Sequence, residues 1–267
     1  LADWYYRGRM VALDRKKSFQ FYEKSCLYGH AKDCLFVGSR YAVGTSWVDK
    51  NLKKATKYYG RACVRFRSAL GCSWWGLHLD RGWGTKPNPQ RAFKAWWYAC
   101  GKRISRACIF LGLSFRDGRH RKVNRYKAAY FFGKACRYRD AEGCTLQALL
   151  YETWVGNRRF HRKNRKKVNK LYHKACGLGS KHACHNLAIN YERGNYVSKN
   201  SRKARYFFRR ACRKKLGVAC FALAVGMRKH LHKKQSKRRR KKFLKIIRRL
   251  LRRACRYDHQ KACLALQ

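Results

Sequence analysis

Bulky and tiny positions recur along the chain at helical offsets. Four residues before Cys26, Cys63, Cys100, Cys136, Cys176, Cys212 and Cys255 stand Tyr22, Tyr59, Trp96, Phe132, Tyr172, Phe208 and Leu251, and directly before those cysteines stand Ser25 and six alanines. Counting forward from Cys34, Cys72, Cys108, Cys144, Cys184 and Cys220, the fourth residue is Gly38, Gly76, Gly112, Ala148, Ala188 or Ala224. The seventh is Tyr41, Leu79, Phe115, Tyr151, Tyr191 or Met227. Offsets of 0, 3, 4 and 7 share one face of a helix, and a tiny residue there lets a neighbouring helix approach closely. Ten residues on, Gly44, Gly82, Gly118 and Gly194 are expected to end that helix in the left-handed conformation. Each unit predicts a helix A, a loop, a helix B and a tight turn.

Fourteen cysteines fall into seven close pairs, the last completed by Cys263, with a separation of 8 residues in six pairs and 9 in Cys63 and Cys72. First members lie 36 to 43 residues apart, the range of one supersecondary unit repeating along a solenoid. Residues eight apart on one straight helix are separated by roughly 12 Å, whereas a disulfide needs Cα atoms about 4.4–6.8 Å apart. The chain therefore reverses within each pair, and a bridge there would staple helix B to the next helix A. Zinc is the rival, but none of the ten histidines keeps register with the cysteines, as a zinc site would require. Seven disulfides imply an oxidising compartment. The sequence predicts an all-α, α/α superhelical solenoid, a single domain over 1–267 of about seven repeats.

Segments such as Asn51-Leu-Lys-Lys-Ala-Thr-Lys-Tyr-Tyr-Gly-Arg-Ala-Cys63, Ala128-Ala-Tyr-Phe-Phe-Gly-Lys-Ala-Cys136 and Asp140-Ala-Glu-Gly-Cys144 resemble Sel1-like repeats of the Helicobacter cysteine-rich type. The resemblance spans nearly the whole chain. It implies a superhelix related to tetratricopeptide repeats, one disulfide per repeat, and a secreted or periplasmic location. It also implies penicillin binding with weak β-lactamase activity, or engagement of a host. The residues after each first cysteine depart from the family's usual Asp-Leu: they are Leu27-Tyr28, Val64-Arg65, Gly101-Lys102, Arg137-Tyr138, Gly177-Leu178, Arg213-Lys214 and Arg256-Tyr257.

Catalytic motifs do not accompany the repeats. No serine has a lysine three residues on, and Ser-Asp-Asn, Lys-Thr-Gly, His-Glu-x-x-His, Gly-x-Ser-x-Gly and the P-loop are absent, although the corresponding enzymes need them. No catalytic residue, metal or cofactor is assigned, and a binding module is expected instead. Beside the core offsets, the stripe at 2, 6 and 9 is expected to line the concave groove. It is variable: Phe36, Arg40 and Val43; Trp74, His78 and Arg81; Phe110, Ser114 and Asp117; Leu146, Leu150 and Thr153; Asn186, Asn190 and Arg193. The plain alternative is that these are ordinary exposed positions, with Phe36, Trp74 and Phe110 extending the core.

Charge changes the choice of partner. With 68 Lys and Arg against 12 Asp and Glu, the net charge is +56, which favours polyanions through steering and counterion release. Protein or peptide ligands, anionic glycans and lipopolysaccharide are the expected partners, nucleic acid only non-specifically, and the chain is expected to be monomeric. No apolar run is long enough to span a membrane, and with no basic and apolar leader visible at Leu1 the sequence is expected to be the mature form if the protein is exported. The basic insert 228–242 is expected to be a solvated loop, with nucleic-acid or anionic-membrane contact as alternatives. Residues 241–253 carry apolar side chains at 243, 244, 246, 247, 250 and 251; in register they form helix B of the sixth repeat, with Ile247 and Leu251 in the core, rather than a membrane-surface helix.

Overall fold

The computed structural model describes residues 1–8, 10–118, 122–153, 158–229 and 236–266. Two compact units divide the chain, Leu1–Tyr138 and Arg139–Gln267.

In the first unit the A helices are α1 (Ala2–Arg7), α3 (Ala31–Val43), α5 (Ala69–Arg81) and α7 (Ser105–Asp117). The B helices are α2 (Arg15–Leu27), α4 (Leu52–Val64), α6 (Pro89–Gly101) and α8 (Arg125–Arg137). Every B helix here starts twelve residues before its cysteine, at Asp14, Asn51, Asn88 or Asn124. Each of these side chains accepts from the N–H three residues on, satisfying a donor that the helix cannot pair internally. The caps also tie helix B to the preceding helix A. The N–H groups of Asn51, Asn88 and Asn124 donate to the carbonyls of Tyr41, Leu79 and Phe115, each at 2.8 Å. Consecutive helices pack in chain order, the arrangement of an α/α solenoid.

The tiny column meets the aromatic column of the next helix. A Cβ placed on Gly112 would lie 2.5 Å from Cε1 of Phe132, and one on Gly38 would lie 2.8 Å from Cε1 of Tyr59. Disulfides Cys26–Cys34, Cys63–Cys72 and Cys100–Cys108 join each helix B to the following helix A across Cα separations of 4.7, 4.4 and 4.8 Å.

The second unit comprises α9 (Ala141–Glu152), α10 (Arg158–Gly177), α11 (Lys181–Arg193), α12 (Ser201–Arg213), α13 (Gly217–Lys229), α14 (Lys237–Arg256) and α15 (Gln260–Leu264). Disulfides Cys176–Cys184, Cys212–Cys220 and Cys255–Cys263 each span a Cα separation of 4.7 Å. Cys136 and Cys144 are also disulfide-bonded, and no described cysteine is free. Two B helices break the common length. While α12 has 13 residues and an Asn200 cap, α10 and α14 have 20, and Asn164, at the cap register, lies inside α10.

Two sequence expectations change. Gly44 ends α3 at φ 80 and ψ 158 rather than in the left-handed helical region taken by Gly82, Gly118 and Gly194. The chain turns there into a bridge between Thr45 and Val48. The insert 228–242 is not one loop either: Arg228 and Lys229 end α13 and Lys237 to Lys242 begin α14, while 230–235 lie outside the described residues. In α14 Ile247 is buried and Leu251 half-buried against neighbours, as the repeat register requires.

A candidate binding face on the first unit

The variable stripe divides by depth. At offset 2, Phe36, Trp74, Phe110, Leu146 and Asn186 are half-buried, and at offset 9 Val43, Arg81, Asp117, Thr153 and Arg193 are exposed. Offset 6 is turned inward. His78 is 2% exposed and Asn190 1%, and Ser114 and Leu150 are also buried. Only Arg40 of that column remains half-buried, its guanidinium 4.8 Å from the Phe36 ring centroid and 5.9 Å from that of Trp47. Among the described residues its buried Nε has no hydrogen-bond partner.

The inward turn of offset 6 has a physical reason. His78 Nδ1 lies 2.7 Å from Thr56 Oγ1, which in turn lies 2.8 Å from the carbonyl of Leu52 and 2.6 Å from that of Trp83. A hydroxyl has one hydrogen; it goes to a carbonyl, so Nδ1–H of His78 donates to Oγ1. The second unit uses amides at the same register, Asn190 Nδ2 donating to Asn169 Oδ1 at 2.8 Å and Asn169 Nδ2 to the carbonyl of Asn195 at 3.4 Å. These networks lock helix A, its preceding helix B and the following loop together. Burial lowers the pKa of His78, against a smaller opposite pull from Trp83, so its ring is held neutral.

Above the His78 network a cavity of about 470 Å³ opens between α3 and α5. Its walls are Leu35, Ala42 and Val43 on one side, Trp74 and His78 on the other, with Tyr59 at the base and Trp83 and Lys50 at the rim. Burial pushes the Tyr59 phenol up to about 12, so it stays neutral. The size and the apolar lining with few polar groups are those of a site for a small ligand or a side chain. Of the predicted groove residues, the structure brings Val43, Trp74 and His78 together here; Asn186, Asn190 and Arg193 lie in the second unit.

Sequence reasoning missed the use made of the scarce acids. Glu23 Oε1 accepts from the phenols of both Tyr41 and Tyr58 at 2.8 Å, and Glu152 accepts from Tyr172 at 2.5 Å. Burial first, then these carboxylates, raises all three phenol pKa values. The signal available was a tyrosine in a core column with an acid nearby in a chain poor in acids. The doublets Phe131-Phe132 and Phe207-Phe208 are buried throughout, so they offer no stacking platform for bases. No cluster of three or more His, Cys, Asp or Glu able to hold a metal occurs among the described residues. No described helix is long and apolar enough to cross a membrane.

A Sel1 repeat protein from Oxalobacter formigenes superposes with a TM-score of 0.71 at 19% identity, covering 88% of this chain and 94% of its own. A protective antigen present in uropathogenic Escherichia coli strains, displaying an SLR fold, superposes with a TM-score of 0.55 at 17% identity, covering 97% of this chain and 69% of its own. At these identities the likeness is one of fold. No curated protein matches the sequence. The Sel1 repeat itself matches residues 1–30, 31–63, 69–94, 105–137 and 181–216, more than half of the chain, in the same register as the helices and disulfides above: the chain belongs to the Sel1 repeat family.

Proposed function

We propose that this protein is a disulfide-stapled protein-interaction module whose first unit holds an apolar side chain of a peptide partner in the cavity between α3 and α5. Sel1 repeats generally serve protein–protein interaction. The observation that carries the more specific reading is the ring-lined cavity of about 470 Å³, set over a buried network that fixes its walls. We assign the chain to the Helicobacter cysteine-rich type and to a secreted or periplasmic location. The absence of a free described cysteine supports this, since paired thiols persist in oxidising surroundings.

Panning a displayed random-peptide library on the oxidised full chain tests the reading. Selected peptides carry an apolar anchor and bind Val43→Asp and Trp83→Ala at least about tenfold more weakly. Equal affinity for wild type and both variants would overturn it.

A second reading, contact with polyanions, is favoured by α14. Its 20 residues include twelve Lys and Arg and no acid, and its basic first turns sit at the positive end of the helix dipole, where an anion is welcome and a cation is not. Heparin binding by this route falls steeply between low and high salt; salt-independent binding would contradict it.

A further inference from the structure

A second cavity, of about 340 Å³, lies on another part of the first unit, beside the Cys63–Cys72 staple. Val64, Trp75 and Tyr98 supply apolar surface, and Arg67, Arg91 and Lys94 supply three cations. The repeat register explains why the cavity exists at this staple. Five residues before the first cysteine of each pair the chain has Phe21, Tyr58, Ala95, Phe131, Leu171, Phe207 and Leu250. Ala95 alone is small. Three residues after the second cysteine stand Val37, Trp75, Leu111, Gln147, Leu187 and Leu223, and Trp75 alone is an aromatic ring. Two columns exchange sizes at one repeat, so at this staple a methyl group and an indole border the cavity where the other repeats carry a larger and a smaller side chain.

Arg91 lies against the indole, and Arg67 is anchored through its backbone. The Arg91 guanidinium lies 6.0 Å from the Trp75 ring centroid, a cation–π separation. The backbone of Arg67 takes a positive φ of 48, and its carbonyl accepts from the Tyr98 hydroxyl at 2.9 Å. Arg67, Arg91 and Lys94 take no part in the ion pairs found among the described residues, which are Arg7–Asp3, Arg81–Asp80 and Arg116–Asp117.

We infer that this cavity is a second docking site, for an acidic peptide segment with an apolar side chain between carboxylates. The apolar side chain enters over Trp75 in the space left by Ala95, and the flanking carboxylates reach the cations at the rim. Charge complementarity selects the occupant: neutral peptides leave three cations unpaired, and acidic segments without an apolar residue leave the floor empty. The inference rests on the reading of the chain as a protein-interaction module but uses a site separate from the α3–α5 cavity.

The test is calorimetric, with the oxidised full chain and a blocked peptide Glu-Asp-Glu-Phe-Glu-Asp-Glu. The double variant Trp75→Leu with Ala95→Phe gives this repeat the side-chain sizes of its neighbours, so it closes the cavity while keeping the fold. It should weaken binding about tenfold or more with an unchanged unfolding midpoint. Arg91→Glu with Lys94→Glu, on the exposed face of α6, should weaken it comparably. The charge-matched Lys53→Glu with Lys57→Glu should leave it within about twofold. A peptide with Gly in place of Phe should bind about tenfold more weakly. Should cavity-filling folded protein bind as wild type does, or Arg91→Glu with Lys94→Glu leave affinity unchanged, or the Gly peptide bind equally well, the inference is wrong. Tighter binding of a heparin tetrasaccharide, lost in the filled variant, would overturn it in favour of an acidic glycan. Val43→Asp should not affect this peptide; loss there but not in the filled variant would place the acidic peptide in the α3–α5 cavity and sink this inference alone.

Discussion

The first unit carries seven of the eight tryptophans, and 30 Lys and Arg against 7 Asp and Glu; the second carries one tryptophan, and 38 against 5. One repeat architecture thus supports two kinds of surface. In the first unit the tiny column is Gly38, Gly76 and Gly112, which makes room for large rings, and rings border both cavities. In the second the same column is Ala148, Ala188 and Ala224, and the added material is basic helix. The B helices of the first unit all begin at an Asx cap and have 13 residues, whereas α10 and α14 run on to 20. The contrast teaches that the disulfide-stapled core fixes little beyond its own columns and leaves the neighbouring positions free to become pockets or charge.

The sharpest way to break this comparison is to exchange the tiny residues. Gly112→Ala puts a Cβ 2.5 Å from Phe132 and should destabilise by about 1–3 kcal/mol in chemical denaturation, as overpacking does. Ala188→Gly, at the same column of the second unit, should cost only about 1 kcal/mol, the helix-propensity difference. Equal costs would mean that the two units pack this column alike. The caps come next: Asn88→Ala should cost about 1 kcal/mol and shift the denaturation midpoint of the first unit, a result that no shift at all would contradict.

Acid separates the units least. His78 in the first and His185 in the second both have lowered pKa values, chiefly from burial. The folded state therefore favours the neutral ring, and the unfolded chain takes up a proton near the ordinary value of 6.5. Stability is full above that value and falls as pH drops through it. Removing either titratable ring, by His78→Gln or His185→Gln, should flatten part of the loss seen between neutral pH and pH 5 in thermal unfolding. An unaltered pH profile in both variants would exclude these rings as the cause.

Much of the fold was legible because the cysteines mark the repeat and the columns around them obey helical geometry. Tyr59, Phe132, Gly38 and Gly112 do what their register demands. The binding face was legible only in part. His78 and Asn190 looked like surface positions because polar side chains are usually exposed, yet each finds a buried polar partner, Thr56 or Asn169, contributed by another helix; that pairing is visible only when the two columns are compared across the turn. Gly44 kept its place but not its conformation, since the following Thr45–Val48 turn decides ψ. The start of α14 was misplaced because a run of basic residues reads as loop, although Lys and Arg are good helix formers. The second cavity stood in the sequence as Ala95 in a column of bulky residues, a departure seen only when that column is aligned.

The most direct test of the central claim is hydrogen exchange on the oxidised full chain with and without a peptide selected from the library. The account predicts slowed exchange concentrated in residues 35–43 and 74–83, with the amides of α14 unchanged. Protection confined to 237–256, with 35–43 and 74–83 exchanging as in the free protein, would contradict it.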